Sequence, residues 1–226
     1  MRNKRLISLS FAGLLLAAPA SARTDQDEQV WLNATIIGNV GKFAYFAEAQ
    51  PRFGDGVSRL SQLLLRPAIG YQVSKDVTVY GGYAHVASPV DNGKDRNEER
   101  LFTQVSWSLG KLAGGTLSSR TRLEHRRLSN GSDTGWRVRE MLRYTRPLGD
   151  PKTVRALAWE EVFVAFDDTD WGQHSGFDQA RTFVGLEVPL PGRSTMDIGY
   201  INQTVNDPGR RLRMNHVASV TLWIRP

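Results

Sequence analysis

Over residues 117–128 the chain reads LSSRTRLEHRRL, with Arg120, Arg122, Glu124 and Arg126 at every second position and Leu117, Thr121 and Leu123 in the gaps. Successive side chains of an extended strand point to opposite faces, so a period of two sorts this stretch into a charged file and a less polar file. The same rhythm runs through most of the 226 residues. Runs bounded by Gly, Pro, Asn or Asp predict about eleven strands, most of about ten or more residues. They fall near Gln29–Gly38, Lys42–Phe53, Arg59–Val73, Val77–Val86, Glu98–Leu109 and Leu117–Leu128. The others are Trp136–Pro147, Val154–Phe166, Phe177–Pro189, Met196–Val205 and Arg211–Ile224. No segment carries a stripe of period 3.6, so the expected class is all-β.

Strand length narrows the class. Strands of soluble proteins cluster at about 5–6 residues, whereas a tilted strand that crosses a bilayer needs about 9–11. The connections also alternate. Ser74–Asp76, Leu112–Gly115 and Leu190–Ser194 are tight, while Ala87–Glu98, Arg127–Gly135 and Asp167–Gly176 are longer and rich in Gly, Asp and Asn. Short turns on one rim and long polar loops on the other are the pattern of outer-membrane barrels. An antiparallel up-and-down transmembrane β-barrel of ten to twelve strands follows. Its parity is awkward, because the alternation starts Gln29–Gly38 at the long-loop rim, whereas an even-stranded barrel keeps both termini at the other. A non-spanning segment, two merged segments or a threaded N-terminus would each account for this.

A membrane barrel turns its apolar file outward and its polar file inward, the reverse of a soluble sandwich. Leu101, Thr103, Val105, Trp107 and Leu109 would then face lipid, and Trp31, Tyr71, Trp136, Tyr144 and Trp223 near strand ends would form interfacial girdles. The expected lumen-lining file is Glu48, Arg52, Arg66, Arg100, Arg120, Arg122 and Glu124, continuing with Arg126, Arg137, Arg139, Arg143, Glu161, Arg181 and Glu187. One position conflicts with this assignment: Glu140 sits in the apolar phase near mid-strand, where only a bulge would turn it inward.

The chain opens with a basic MRNKR, an apolar LISLSFAGLLLAA and the small-residue triplet Ala20-Ser21-Ala22. That is the anatomy of a cleaved signal peptide over 1–22, leaving a single barrel domain over 23–226. Export and a barrel together place the chain in the outer membrane of a Gram-negative cell. The net charge of +6 includes Arg2, Lys4 and Arg5, so the mature chain carries only about +3, spread singly through strands, and nucleic acid is not an expected partner. With no cysteine, a disulfide framework, thiol catalysis and cysteine-bound zinc are all excluded.

Several blocks carry a family resemblance: EAQPRF, LLLRPAIGYQV, RLEHR, DTGWRVRE, GFDQARTFVGL, GYINQ and RMNHV, in that order along nearly the whole mature chain. Together they resemble the bacterial family catalogued as domain of unknown function 2490. The resemblance implies an outer-membrane barrel with no assigned activity, its polar positions falling on Glu48, Arg52, Arg66, Arg122, Glu124, Arg137, Arg139, Gln179 and Arg181. Glu140 and Met141 stand where the family more often has an aromatic and a basic residue.

Three function classes follow. A passive barrel is expected first. Its arginines either pair with Glu48, Glu124, Glu161 and Glu187 to fill the lumen, or line a wet passage that favours small anionic solutes. Ten to twelve strands lie between the filled barrels of about 8 and the open channels of 16–18, and favour the filled form. Second is an enzyme acting on outer-membrane lipid, for which His125 near Ser119 and Thr121 is the one constellation, without a G-x-S-x-G elbow. Third is a soluble exported β-sandwich that binds a ligand. No cofactor or metal is expected: Asp167, Asp168 and Asp170 begin like a calcium loop, but Gln179 stands at the position an EF-hand gives to Glu. The expected surroundings are outer-membrane lipid and lipopolysaccharide.

Overall fold

The computed structural model describes residues 25–226 except 92, 151–152 and 208–211. The expected signal peptide over 1–22 lies outside the described residues. Eleven strands make up the fold: β1 (Asp25–Val40), β2 (Phe43–Gly54), β3 (Arg59–Ser74), β4 (Val77–Ser88), β5 (Arg96–Leu112) and β6 (Gly115–Leu128), then β7 (Thr134–Pro147), β8 (Arg155–Ala165), β9 (Gly176–Pro189), β10 (Thr195–Val205) and β11 (Arg213–Ile224). Each pairs with its chain neighbour, and β1 pairs with β11 to close one barrel. This single closed sheet replaces the two-sheet sandwich considered as an alternative.

Closure also resolves the parity. Ten chain-neighbour pairings are antiparallel, so an eleventh strand must run in the same direction as the first. The seam is accordingly parallel, in register from Asp25↔Arg213 to Ile36↔Ile224. All the expected segments are present as separate strands, so no strand had to be discarded, merged or threaded. The expectation of a wholly antiparallel barrel is corrected at this one seam. A parallel ladder is slightly weaker per residue, but it leaves no edge open to pairing with another chain.

Odd-numbered strands end at one rim, with turns at residues 41–42, 75–76 and 113–114 and longer connections at 148–154 and 190–194. Ala113 (φ 47°) and Gly114 (φ 79°) give the two left-handed residues of a type I′ hairpin, whose twist matches the strands it joins. The opposite rim holds the start of β1 and the connections 55–58, 89–95, 129–133, 166–175 and 206–212. The contrast of short-turn and long-loop rims thus holds in part: 148–154 and 190–194 lengthen the first rim, and 55–58 is a four-residue turn on the second.

The charged file faces inward. Arg66, Arg122, Glu124, Arg137, Arg139 and Glu161 are all buried, while Ile69, Leu101, Val184 and Ile198 on the alternate phase are exposed on the outer wall. Phe43, Tyr71 and Trp107 are exposed toward the short-turn rim, and Trp136 and Phe177 toward the long-loop rim. Two of the expected girdle residues do not belong there: Trp31 is 3% exposed inside the barrel, and the Trp223 indole donates inward to Asp197.

Part of the lumen is apolar. Ala44, Phe46, Ala68, Tyr80 and Phe102 cluster on β2–β5, and Trp31, Leu157, Phe183, Ile201 and Val217 cluster across β1 and β8–β11. Glycine makes room for the rings. A Cβ at Gly82 would lie 2.3 Å from the Phe102 ring, and one at Gly199 would lie 2.7 Å from that of Phe183. An eleven-stranded barrel is wider than eight side-chain files can fill, and these aromatics occupy part of the excess.

Candidate functional site

The inward arginines are held by acids on neighbouring strands. Glu124 on β6 receives Arg137 Nη2 at 2.6 Å and Arg139 Nη1 at 2.8 Å, both from β7. Arg139 continues to Glu161 on β8 at 2.7 Å, which also receives Arg120 at 2.7 Å, while Arg137 reaches Asp178 on β9 at 2.6 Å. The forked guanidinium can bridge two carboxylates in this way, where a lysine would offer only a point charge. Toward the long-loop rim, Glu98 receives Arg100 through both oxygens at 2.7 Å and Arg126 at 2.6 Å. Toward the short-turn rim, Glu187 receives Arg143 at 2.5 Å and Arg155 at 2.7 Å, and Glu48 holds Arg66 at 3.0 Å.

Of the fourteen residues expected in the lumen, Glu48, Arg52, Arg66, Arg100, Arg120, Arg126, Arg137, Arg139, Arg143, Glu161 and Arg181 line an interior cavity, and Arg122, Glu124 and Glu187 are buried. Neutral and aromatic partners in the same phase were left out of that expected file, although Gln179 stood among the polar positions of the family resemblance. Arg52 donates to Gln50 and Gln62, and Arg122 donates to Gln104 at 2.5 Å and stacks 4.5 Å from the Phe102 centroid. A ladder of amides runs from Asn215 to Gln203 to Gln179 across β11, β10 and β9. The period of two that picks out Arg100 and Arg181 puts Gln104 and Gln179 in the same phase, so a lumen file restricted to charged residues left them out.

Charge in this interior is unbalanced. Among the described residues, eight arginines and five carboxylates are buried, an excess of three positive charges. Among the described residues Arg52 and Arg122 have no carboxylate within ion-pair distance.

Two cavities occupy the lumen, one of about 930 Å³ opening toward the long-loop rim and one of about 280 Å³ toward the other. Trp31, Arg52, Arg66, Arg139 and Arg181 line both, so they form a collar where the cavities meet. Arg52 and Arg181 both lie over the Trp31 indole, at 4.0 and 4.9 Å from its centroid.

The mouth of the larger cavity is partly covered by the 166–175 connection. Trp171 and Gln173 are buried there. The Trp171 indole donates to Asp133 O, Arg126 stacks on it at 5.0 Å, and Gln173 accepts from Arg126 at 2.7 Å. Asp170 accepts from the Ser132 backbone N–H at 2.8 Å, from the Ser132 hydroxyl and from Asp133 N–H. These bonds hold its carboxyl below the ordinary range. Asp167 accepts from Trp136 N–H and Asp168 from Ser175 N–H, so the three aspartates tie loops together rather than converging.

The outer wall carries a few polar groups. No bulge occurs at Glu140: it stays in register with Thr121, faces outward, and accepts from the hydroxyls of Ser119 and Thr121. On the next strand Glu160 accepts from Thr182 at 2.5 Å. His125 packs against Trp136, its ring tilted by 54° at 4.8 Å between centroids, and His85 pairs with Glu99 at 2.8 Å.

A closed eleven-stranded barrel, greasy outside and lined with paired and unpaired guanidiniums inside, is the class of protein that these features define. Residues 28–215 match the family described as Protein of unknown function (DUF2490), and the chain belongs to that family. It is also similar to an uncharacterized protein of Methylorubrum extorquens, 45% identical over 228 residues that cover 100% of this chain and 99% of the relative. No solved structure gives a significant match.

Proposed function

We propose that this protein is an exported barrel of the outer membrane whose lumen is a narrow passage favouring small anions. The observation that carries the reading is the reversal of polarity: an exposed wall of Leu, Ile, Val and aromatic residues surrounds a buried surplus of arginine. A water-soluble chain would gain nothing by presenting that wall to water. In a bilayer the same wall is solvated by acyl chains, and the strands, of 11 to 17 residues, are long enough to span it. Surplus positive side chains around a pore favour anions.

A filled, purely structural barrel is the second reading, favoured by the ion-pair chain through Glu124 and Glu161 and by Trp171 in the mouth. Planar-bilayer recording of the refolded protein under a potassium chloride gradient separates the two. The expected result is small steps with a reversal potential on the chloride side, displaced toward potassium by Arg52→Glu. Silence from protein shown to be folded and inserted would favour the filled barrel, and cation preference would overturn the passage.

A further inference from the structure

The donors of the four collar arginines are used unequally. Arg139 has a carboxylate partner on each of its three nitrogens, with Nε and Nη2 on Glu161 and Nη1 on Glu124. Arg66 spends Nη1 on Glu48, yet its Nε is buried without a partner. Arg181 gives Nη2 to Gln179 at 3.3 Å and stands 3.8 Å from Glu161, and its Nε is likewise buried and unpartnered. Arg52 gives its hydrogen bonds to two neutral amides, so no carboxylate balances its charge at ion-pair distance. These three guanidiniums are 5%, 8% and 9% exposed. Buried donors without acceptors are rare in folded proteins, and a buried charge without a counter-charge is costly.

We propose that the collar is a binding site for a tetrahedral oxyanion of the phosphate type, entered from the larger cavity. Such an ion supplies what the collar lacks: negative charge beside Arg52 and acceptor oxygens for the guanidiniums of Arg66 and Arg181, whose N–H groups are only partly used. Arg52 and Arg66 on the paired strands β2 and β3 and Arg181 on β9 all line the collar, and Arg52 and Arg181 meet over Trp31, so an anion with several oxygens offers them more acceptors than a single chloride. Guanidinium forks match phosphate oxygens in pairs. Trp31 holds two of these like charges against one ring, and the acids that hold Arg139 stay engaged with it. The adjoining 930 Å³ leaves room for a group attached to the phosphate.

The inference rests on the anion-favouring reading of the lumen but requires no current. Calorimetric titration of the refolded full chain in detergent, at constant ionic strength, with inorganic phosphate, acetate and chloride tests it. Phosphate is expected to saturate one site, with acetate and chloride at least about tenfold weaker. Arg52→Gln and Arg181→Gln should each weaken phosphate by about tenfold or more, while Arg59→Gln at the cavity mouth should not. Arg52→Lys keeps the charge but loses the fork, and should also weaken it. Absence of saturation by the folded wild type, equal binding of chloride, or indifference to all three collar substitutions would overturn the site. Anion-selective current without phosphate binding would overturn the site alone. Binding by an electrically silent barrel would support the site and overturn conduction.

Discussion

Glu124 and Glu140 show at the scale of single residues how location decides what a carboxylate does. Glu124 is 1% exposed and anchors both Arg137 and Arg139. Its removal leaves two buried guanidiniums short of a counter-charge, so Glu124→Ala should destabilise the barrel by about 3–5 kcal/mol. The urea midpoint of protein folded into lipid vesicles reads this directly. Glu140 lies on the opposite face, where the hydroxyls of Ser119 and Thr121 donate to it and, among the described residues, no cation lies within ion-pair distance. If that face meets acyl chains, Glu140→Leu removes a polar group from hydrocarbon and should leave the midpoint unchanged or raise it. A loss as large as that of Glu124→Ala would mean that Glu140 faces a polar environment instead.

At the scale of elements, the strands were legible and the loop was not. The period of two in LSSRTRLEHRRL assigns Arg120, Arg122, Glu124 and Arg126 to one face, and those four side chains do lie together in the lumen. Trp31 was misplaced because position near a strand end says nothing of phase, and its phase, two residues from Gln29 and Asn33, is the inward one. An odd count of eleven strands already implied a parallel seam on closure, but its register was hidden, because pairing between chain ends is not encoded in any local pattern. The inward fold of the 166–175 connection was equally hidden, since Trp171 owes its burial to Arg126 and Asp133 on other strands and loops. This loop carries a pH signature. Hydrogen bonds hold the Asp170 carboxyl below its ordinary value, so its contribution is complete at neutral pH and is lost as pH falls through that lowered value, below about 4. Amide exchange at Ser132 and Asp133 should accelerate in Asp170→Asn at neutral pH, and in wild type only in that acidic window. Unaltered protection in the variant would show that the loop is held by Trp171 and Gln173 instead.

For the whole molecule, what matters is which medium each wall meets, and the six tryptophans report on both walls. Trp107 and Trp136 are 40% and 43% exposed on the outside, toward opposite rims. Trp31 and Trp171 are buried within the lumen and its mouth, and the indole of Trp223 is turned inward to Asp197. In a bilayer, interfacial aromatics of a barrel sit at the level of the headgroups and upper acyl chains. Single-tryptophan variants reconstituted in vesicles of bromine-labelled lipid should therefore divide into two sets. Fluorescence of Trp107 and Trp136 should be strongly quenched, with the deepest effect for bromines near the headgroup, and that of Trp31 and Trp171 should not. Aqueous iodide should reach Trp171, at the mouth of the larger cavity, before Trp31, which lies behind it at the arginine collar. Quenching of Trp31 by lipid as strong as that of Trp136 would put hydrocarbon on the arginine side of the sheet, an arrangement that eight buried guanidiniums make untenable for this fold.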